Sequence, residues 1–191
     1  MFEINLRNGD GIFVSDIFRV ADEFVEQLPS ERDPSEPEVF SGMINHINAE
    51  LFSGDNRLDY DDLQGLNRIW TAYLKLCSKC KQCPTMLEFS CLIGCDRDTL
   101  RKWENGSIRA SDAERIRTVK RWKTIAESGL ARKTIASNSV GAIFALKSCY
   151  QWRDNPPEEQ PVRLETRDSI EQIMQRHQGA ALPEPIDLSE I

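Results

Sequence analysis

Arg97, Arg101 and Lys102 lie within the short segment DRDTLRKW, which Cys95 separates from a glycine at position 94. Residues four apart share a helix face, and the planar fork of arginine engages two acceptors on a guanine edge at once. Further on, Lys120, Arg121 and Lys123 crowd one short stretch. Their charges suit phosphate oxygens, contacts that hold register without reading sequence. The chemistry implied is the gripping of a polyanion. The expected contact set is Arg97, Thr99, Arg101, Lys102, Arg109, Lys120, Arg121 and Lys123, with Thr99 turned inward or toward a phosphate. Asp98, four residues before Lys102, orients that lysine or repels wrong sequences.

Five of the six cysteines cluster at Cys77, Cys80, Cys83, Cys91 and Cys95. A CxxCxxC run offers thiolates to zinc, so Cys77, Cys80 and Cys83 are an alternative metal set. No second CxxC pair and no nearby histidine complete a four-ligand spacing. The expectation is therefore packing rather than metal, with Cys91 and Cys95 filling core positions as small hydrophobes. Disulfides are not expected in a reducing compartment. His46 and His177 are isolated, and no GxxxxGK[ST] loop or paired carboxylates stand on a recognisable scaffold. A non-enzymatic protein without a cofactor is expected.

The elements that must position the basic residues are legible from Thr85 to Trp103, TMLEFSCLIGCDRDTLRKW. The spacing predicts a helix-turn-helix: Phe89 and Ile93 face inward, and Ser90 is small where the helices come closest. Gly94 takes the positive φ of a sharp turn, and Cys95 tucks beneath it. Asp96 caps the second helix, and Leu100 and Trp103 bury its inner face. Pro84 stops the preceding helix and Thr85 caps the next. That preceding helix begins near Asp59 and buries Leu63, Leu66, Trp70, Tyr73, Leu74 and Cys77, which completes a tri-helical unit.

A turn at Glu104 to Gly106 ends the second helix. Ser111 to Glu114 reads as a capping box for a helix reaching Ser128, with Gly129 as its stop. Ile116, Val119, Trp122 and Ala126 form its apolar face, and Arg115, Arg117, Lys120, Arg121 and Lys123 its charged ones. A further apolar helix from Ser139 to Tyr150 is expected to be buried within the domain or between subunits.

Charge is distributed in blocks across the 191 residues, whose net charge is −7. Residues 1–62 carry four basic and 15 acidic side chains (−11), residues 63–155 carry 17 and eight (+9), and residues 156–191 carry three and eight (−5). The positive block coincides with the helix-turn-helix. Residues 1–58 form an acidic helical region, 59–110 the DNA-binding domain, 111–155 a helical support or oligomerisation region, and 156–191 an acidic tail. The first region holds an amphipathic helix with Phe13, Ile17, Ala21, Phe24 and Leu28, and a second helix near Val39 to Phe52. The tail is expected to include a short helix around Ser169 to His177 and to end in the disorder-prone ALPEPIDLSEI. The longest apolar run, Val140 to Leu146, is far short of the roughly 20 residues of a membrane span. The start lacks a basic and then apolar leader, so a cytoplasmic protein with no membrane partner is expected.

The fold class expected is all-α. Across residues 59 to 155, CPTMLEFSCLIGCDRDTLRKWENG, a basic helix and then SNSVGAIFALKSCYQWRD resemble the small terminase subunits of tailed phages. In that family a helix-turn-helix precedes an AIF-LK-type element, matched here by Ala142, Ile143, Phe144, Leu146, Lys147, Tyr150 and Trp152. The resemblance does not cover the acidic first 58 residues. It implies a DNA-recognition component of a genome-packaging motor, working in the host cytoplasm. Its partners would be double-stranded DNA, further copies of itself, arranged in a ring in one version, and the large terminase subunit with its ATPase. The residues alone also allow a transcription regulator of a phage or mobile element, or an adaptor whose helical hairpin binds protein rather than DNA.

Overall fold

The computed structural model describes residues 3–7, 9, 11–108, 111–137 and 139–152. Two short antiparallel strands, β1 (Glu3–Asn5) and β2 (Gly11–Phe13), pair with Ile4 opposite Ile12. Seven helices follow among the described residues: α1 (Val14–Glu26), α2 (Pro37–Leu51), α3 (Leu63–Lys79), α4 (Met86–Ile93), α5 (Arg97–Glu104), α6 (Ala113–Ser137) and α7 (Val140–Tyr150). The protein is thus mostly helical, with one small hairpin added that the sequence reading lacks.

Local chemistry explains most boundaries. Phe13 precedes α1 instead of lying within it, and its N–H donates to the Asp16 carboxylate at 2.9 Å. Pro37 stands at the first position of α2, where its missing N–H costs nothing. Asp62 caps α3 by accepting from the Gly65 N–H at 2.8 Å. Leu66, Ile69, Trp70, Tyr73, Leu76 and Cys77 bury the inner face of α3, whereas Leu63 and Leu74 are only half-buried.

Helix α6 corrects three expectations. It continues past Gly129 to Ser137. A Cβ at Gly129 would lie 3.2 Å from Pro84 Cδ, so this glycine permits a close approach rather than a stop. Asp112, not Ser111, supplies the cap, accepting from the Arg115 N–H at 2.9 Å. Arg115 itself enters the core at 2% exposure, while Ile116 stays half-buried.

One apolar cluster runs from Ile4 and Ile17 through Phe40, Ile47, Trp70 and Phe89 to Trp122 and Ala126. The acidic first region and the basic block therefore share a core. Trp70 stacks on Trp122 at 5.7 Å between ring centres and meets Phe89 edge-on at 4.8 Å. Each fully buried large apolar side chain of this kind contributes about 1.5–3 kcal/mol. A second cluster of Leu130, Ala142 and Leu146 joins α6 to α7. On the rest of α7, Ala145 and Tyr150 are half-buried against this packing, whereas Val140 is 78% and Phe144 71% exposed. Among the described residues, no helix is long and apolar enough to cross a membrane.

Candidate nucleic-acid interface

The two helices α4 and α5 are joined by a turn whose parts are held from several sides. Thr85 Oγ1 accepts from the Glu88 N–H at 3.1 Å and starts α4. Gly94 ends it in the left-handed region at φ +66°. The Gly94 N–H returns to the Cys91 carbonyl and the Cys95 N–H to that of Ser90, the paired bonds of a Schellman stop. Asn48 Nδ2 donates to the Leu92 carbonyl at 3.0 Å. The Tyr60 phenol lies 3.0 and 2.9 Å from the carbonyls of Ile93 and Gly94. Burial and the neighbouring Cys95 push the Tyr60 hydroxyl up to about 12, so it serves as a neutral donor. Ser90 is buried at the close approach, as its size requires. Asp96 occupies the cap position of α5, but its carboxylate makes no capping bond.

Leu100 and Trp103 bury the inner face of α5, and Arg97, Asp98, Arg101 and Lys102 stand exposed on its outer side. Thr99 is half-buried. On α6, Arg117, Lys120 and Arg121 are exposed at intervals of three and four, which puts all three on one outward face. Lys123 is engaged within the protein, its Nζ 2.7 Å from Glu104 Oε1 at the end of α5. Arg109 and His177 lie outside the described residues.

The expectation that Arg115 belongs to a charged outer face is corrected. Its Nε donates to Asp112 Oδ2 at 2.8 Å, and its guanidinium lies 5.0 Å from the centre of the Trp103 ring. A carboxylate, an aromatic face and burial together make it a strut between α6 and α5. Arg117 takes the outward place, and it is the basic residue that the expected contact set omits. Its signal was its position between Lys120 and Arg121 on the helix wheel.

The cysteines are dispersed in environment. Cys77 and Cys80 are buried, Cys83 and Cys95 half-buried, and Cys91 and Cys149 exposed. Cys91 therefore does not fill a core position, a correction that follows from its place on the outer side of α4. Burial pushes the thiols of Cys77 and Cys95 up to about 12. Among the described residues, no three or more His, Cys, Asp and Glu side chains gather to hold a metal ion. Cys77, Cys80 and Cys83 are thus not brought together as ligands. His46 packs on Phe24 with ring centres 5.4 Å apart.

Burial also raises the Glu88 carboxyl above its usual range, against hydrogen bonds from Tyr73, Ser41 and Thr85 that favour the charged form. Tyr73 Oη lies 3.1 Å from Glu88 Oε2 and Ser41 Oγ 3.4 Å from Oε1. Glu88 therefore binds α2 and α3 to the first turn of α4. On the packed helices α5 and α6, Arg97, Arg101, Lys102, Arg117, Lys120 and Arg121 are exposed, and no ion pair among the described residues engages them. Compared with known proteins, the chain matches no family model, no curated protein and no solved structure.

Proposed function

We propose that the protein is the small subunit of a phage-type terminase, a DNA-recognition component without catalysis of its own. The observation that carries the DNA-binding part is the exposed set Arg97, Arg101 and Lys102 on α5, beside Arg117, Lys120 and Arg121 on α6. Helix α5 is short, begins at a tight glycine turn and is backed by Trp103 and Leu100, the form in which a helix enters a major groove. Arginines of α5 read base edges and the α6 cations grip phosphates. The packaging role is supported by the resemblance of residues 59 to 155 to small terminase subunits. The exposed Val140 and Phe144 of α7 suit contact between copies, which would multiply the small grip of a single unit.

Titration of the full chain against double-stranded DNA tests the first part, because affinity carried by phosphate contacts falls steeply with salt. Negligible binding at low salt would leave the protein-adaptor reading. Pull-down of a large terminase subunit by the full chain tests the second part. Sequence-specific binding without that capture would favour a transcription regulator.

A further inference from the structure

The acidic first region places two of its four basic side chains at one spot. The Arg7 N–H donates to the Arg57 carbonyl at 2.7 Å, next to the antiparallel bridge between Leu6 and Leu58. The two arginines thus face each other across paired backbone. Like charges so placed repel and destabilise the pairing. Among the described residues no carboxylate forms an ion pair with either one. Arg7 lies over the Tyr60 ring at 5.1 Å, and both arginines are exposed. They line a cleft of about 320 Å³ with Asn48, Ser53, Tyr60 and Gly94.

The position of this cleft gives it meaning. Tyr60 and Asn48 are the side chains that hold the α4–α5 turn, through the carbonyls of Ile93, Gly94 and Leu92. Gly94, the turn residue itself, is part of the cleft wall. Two guanidinium groups that no carboxylate among the described residues ion-pairs therefore stand beside the start of α5. Asp96 is close enough to act on Tyr60 along with them.

We infer that Arg7 and Arg57 form a phosphate-binding site that takes a backbone phosphodiester of the DNA duplex engaged by α5. The inference rests on the proposed DNA-binding function and extends it to a region of opposite overall charge. Guanidinium forks bind phosphate oxygens in pairs, and such contacts fix orientation rather than sequence preference. The β1–β2 hairpin and the loop before α3 act here as a clamp on the backbone beside the turn.

The test is a salt-dependent titration of the full chain with duplex DNA, comparing wild type with R57Q and the R7Q/R57Q pair. The logarithmic salt slope should shrink by about 1 for R57Q and about 2 for the pair, with affinity lowered on all sequences alike. Ethylation interference should lose a phosphate position in R57Q, and R19Q on α1 should match wild type. Among the described residues the Arg57 side chain forms no hydrogen bond or ion pair, so R57Q and the reversal R57E test the site even where the double variant unfolds. Absence of DNA binding by wild type would overturn the DNA-binding reading and the site with it. If R101A weakens wild-type binding while R57Q and R57E leave slope and interference unchanged, the site alone is overturned. Inorganic phosphate that raises the melting temperature of wild type but not R57Q, with DNA binding unchanged, would reassign the cleft to a free phosphate and overturn the duplex contact.

Discussion

Lys123 Nζ sits 2.7 Å from Glu104 Oε1, and the pair fastens the last residue of α5 to the middle of α6. Both side chains are about two-thirds covered or more, at 33% and 25% exposure. A double-mutant cycle with E104Q and K123M should give a coupling of about 0.5–1 kcal/mol, the upper end for ion pairs not fully exposed. The pair also ranks the lysines of α6 toward DNA. K120Q should lower the salt slope by about 1, and K123Q by clearly less, because Lys123 is already neutralised. Equal slopes for the two variants would mean that the pair opens on DNA.

Gly94 and Asn48 give a second prediction. At φ +66° any β-carbon is disfavoured, and one built there would meet Asn48 Nδ2 at 2.9 Å. The left-handed penalty is about 1–2 kcal/mol. Loss of the Asn48 bond to the Leu92 carbonyl adds about 0.5–1.5 kcal/mol. Gly94→Ala should therefore lower unfolding free energy in urea by about 2 kcal/mol with an unchanged m-value. A loss below about 0.5 kcal/mol, the usual range for surface substitutions, would show that the turn does not need this geometry.

The α4–α5 hairpin was legible because its signals are local. A threonine cap, a glycine stop and the three-residue spacing of Leu100 and Trp103 are all read within one window. Arg115 was not, since hydropathy sends arginine outward and only Asp112 and Trp103, assembled by the fold, bring it in. Gly129 misled for a similar reason: a glycine near a helix end reads as a stop, and its true partner, Pro84, is distant in sequence. Strands β1 and β2 are three residues each, too short to display alternation. Arg7 and Arg57 meet through a backbone bond between segments 50 positions apart, which no spacing rule detects.

Cysteine labelling separates the environments described above. At pH 8 in the native state, an alkylating reagent should modify Cys91 and Cys149 first, since both are exposed. Cys77 and Cys95, raised to about 12 by burial, hold almost no thiolate at that pH and should react only after denaturation. Mass spectrometry of partially labelled protein gives the order. Early modification of Cys77 would contradict its place in the core.

Arg115 and Asp112 should be strongly coupled. Asp112→Ala removes the one carboxylate that, among the described residues, is bonded to a guanidinium whose side chain is 3% exposed, at a cost of about 1.5–3 kcal/mol. In an Arg115→Met background, which keeps length and packing but no charge, the same change should cost less than half as much. Equal costs in both backgrounds would show that the pair is not what holds Asp112 in place.

Glu88 should make stability depend on pH in a direction opposite to that of a salt-bridged carboxylate. Burial raises its folded value above the unfolded one, near 4.3 for a glutamate in an open chain. Between those two values the folded protein binds more protons than the unfolded chain, so stability falls as pH rises through the window. The contribution is fully present below the unfolded value and lost above the folded one. Glu88→Gln keeps a neutral acceptor for the Tyr73 hydroxyl and cannot titrate. Its stability relative to wild type should therefore rise with pH across that window, then level off toward neutrality. Urea denaturation of both proteins from pH 4 to pH 7 reads the difference directly. A difference that does not change with pH would mean that the hydrogen bonds from Tyr73, Ser41 and Thr85 cancel the burial and leave the carboxyl as it is in the open chain, and a difference that falls as pH rises would mean that they hold it charged.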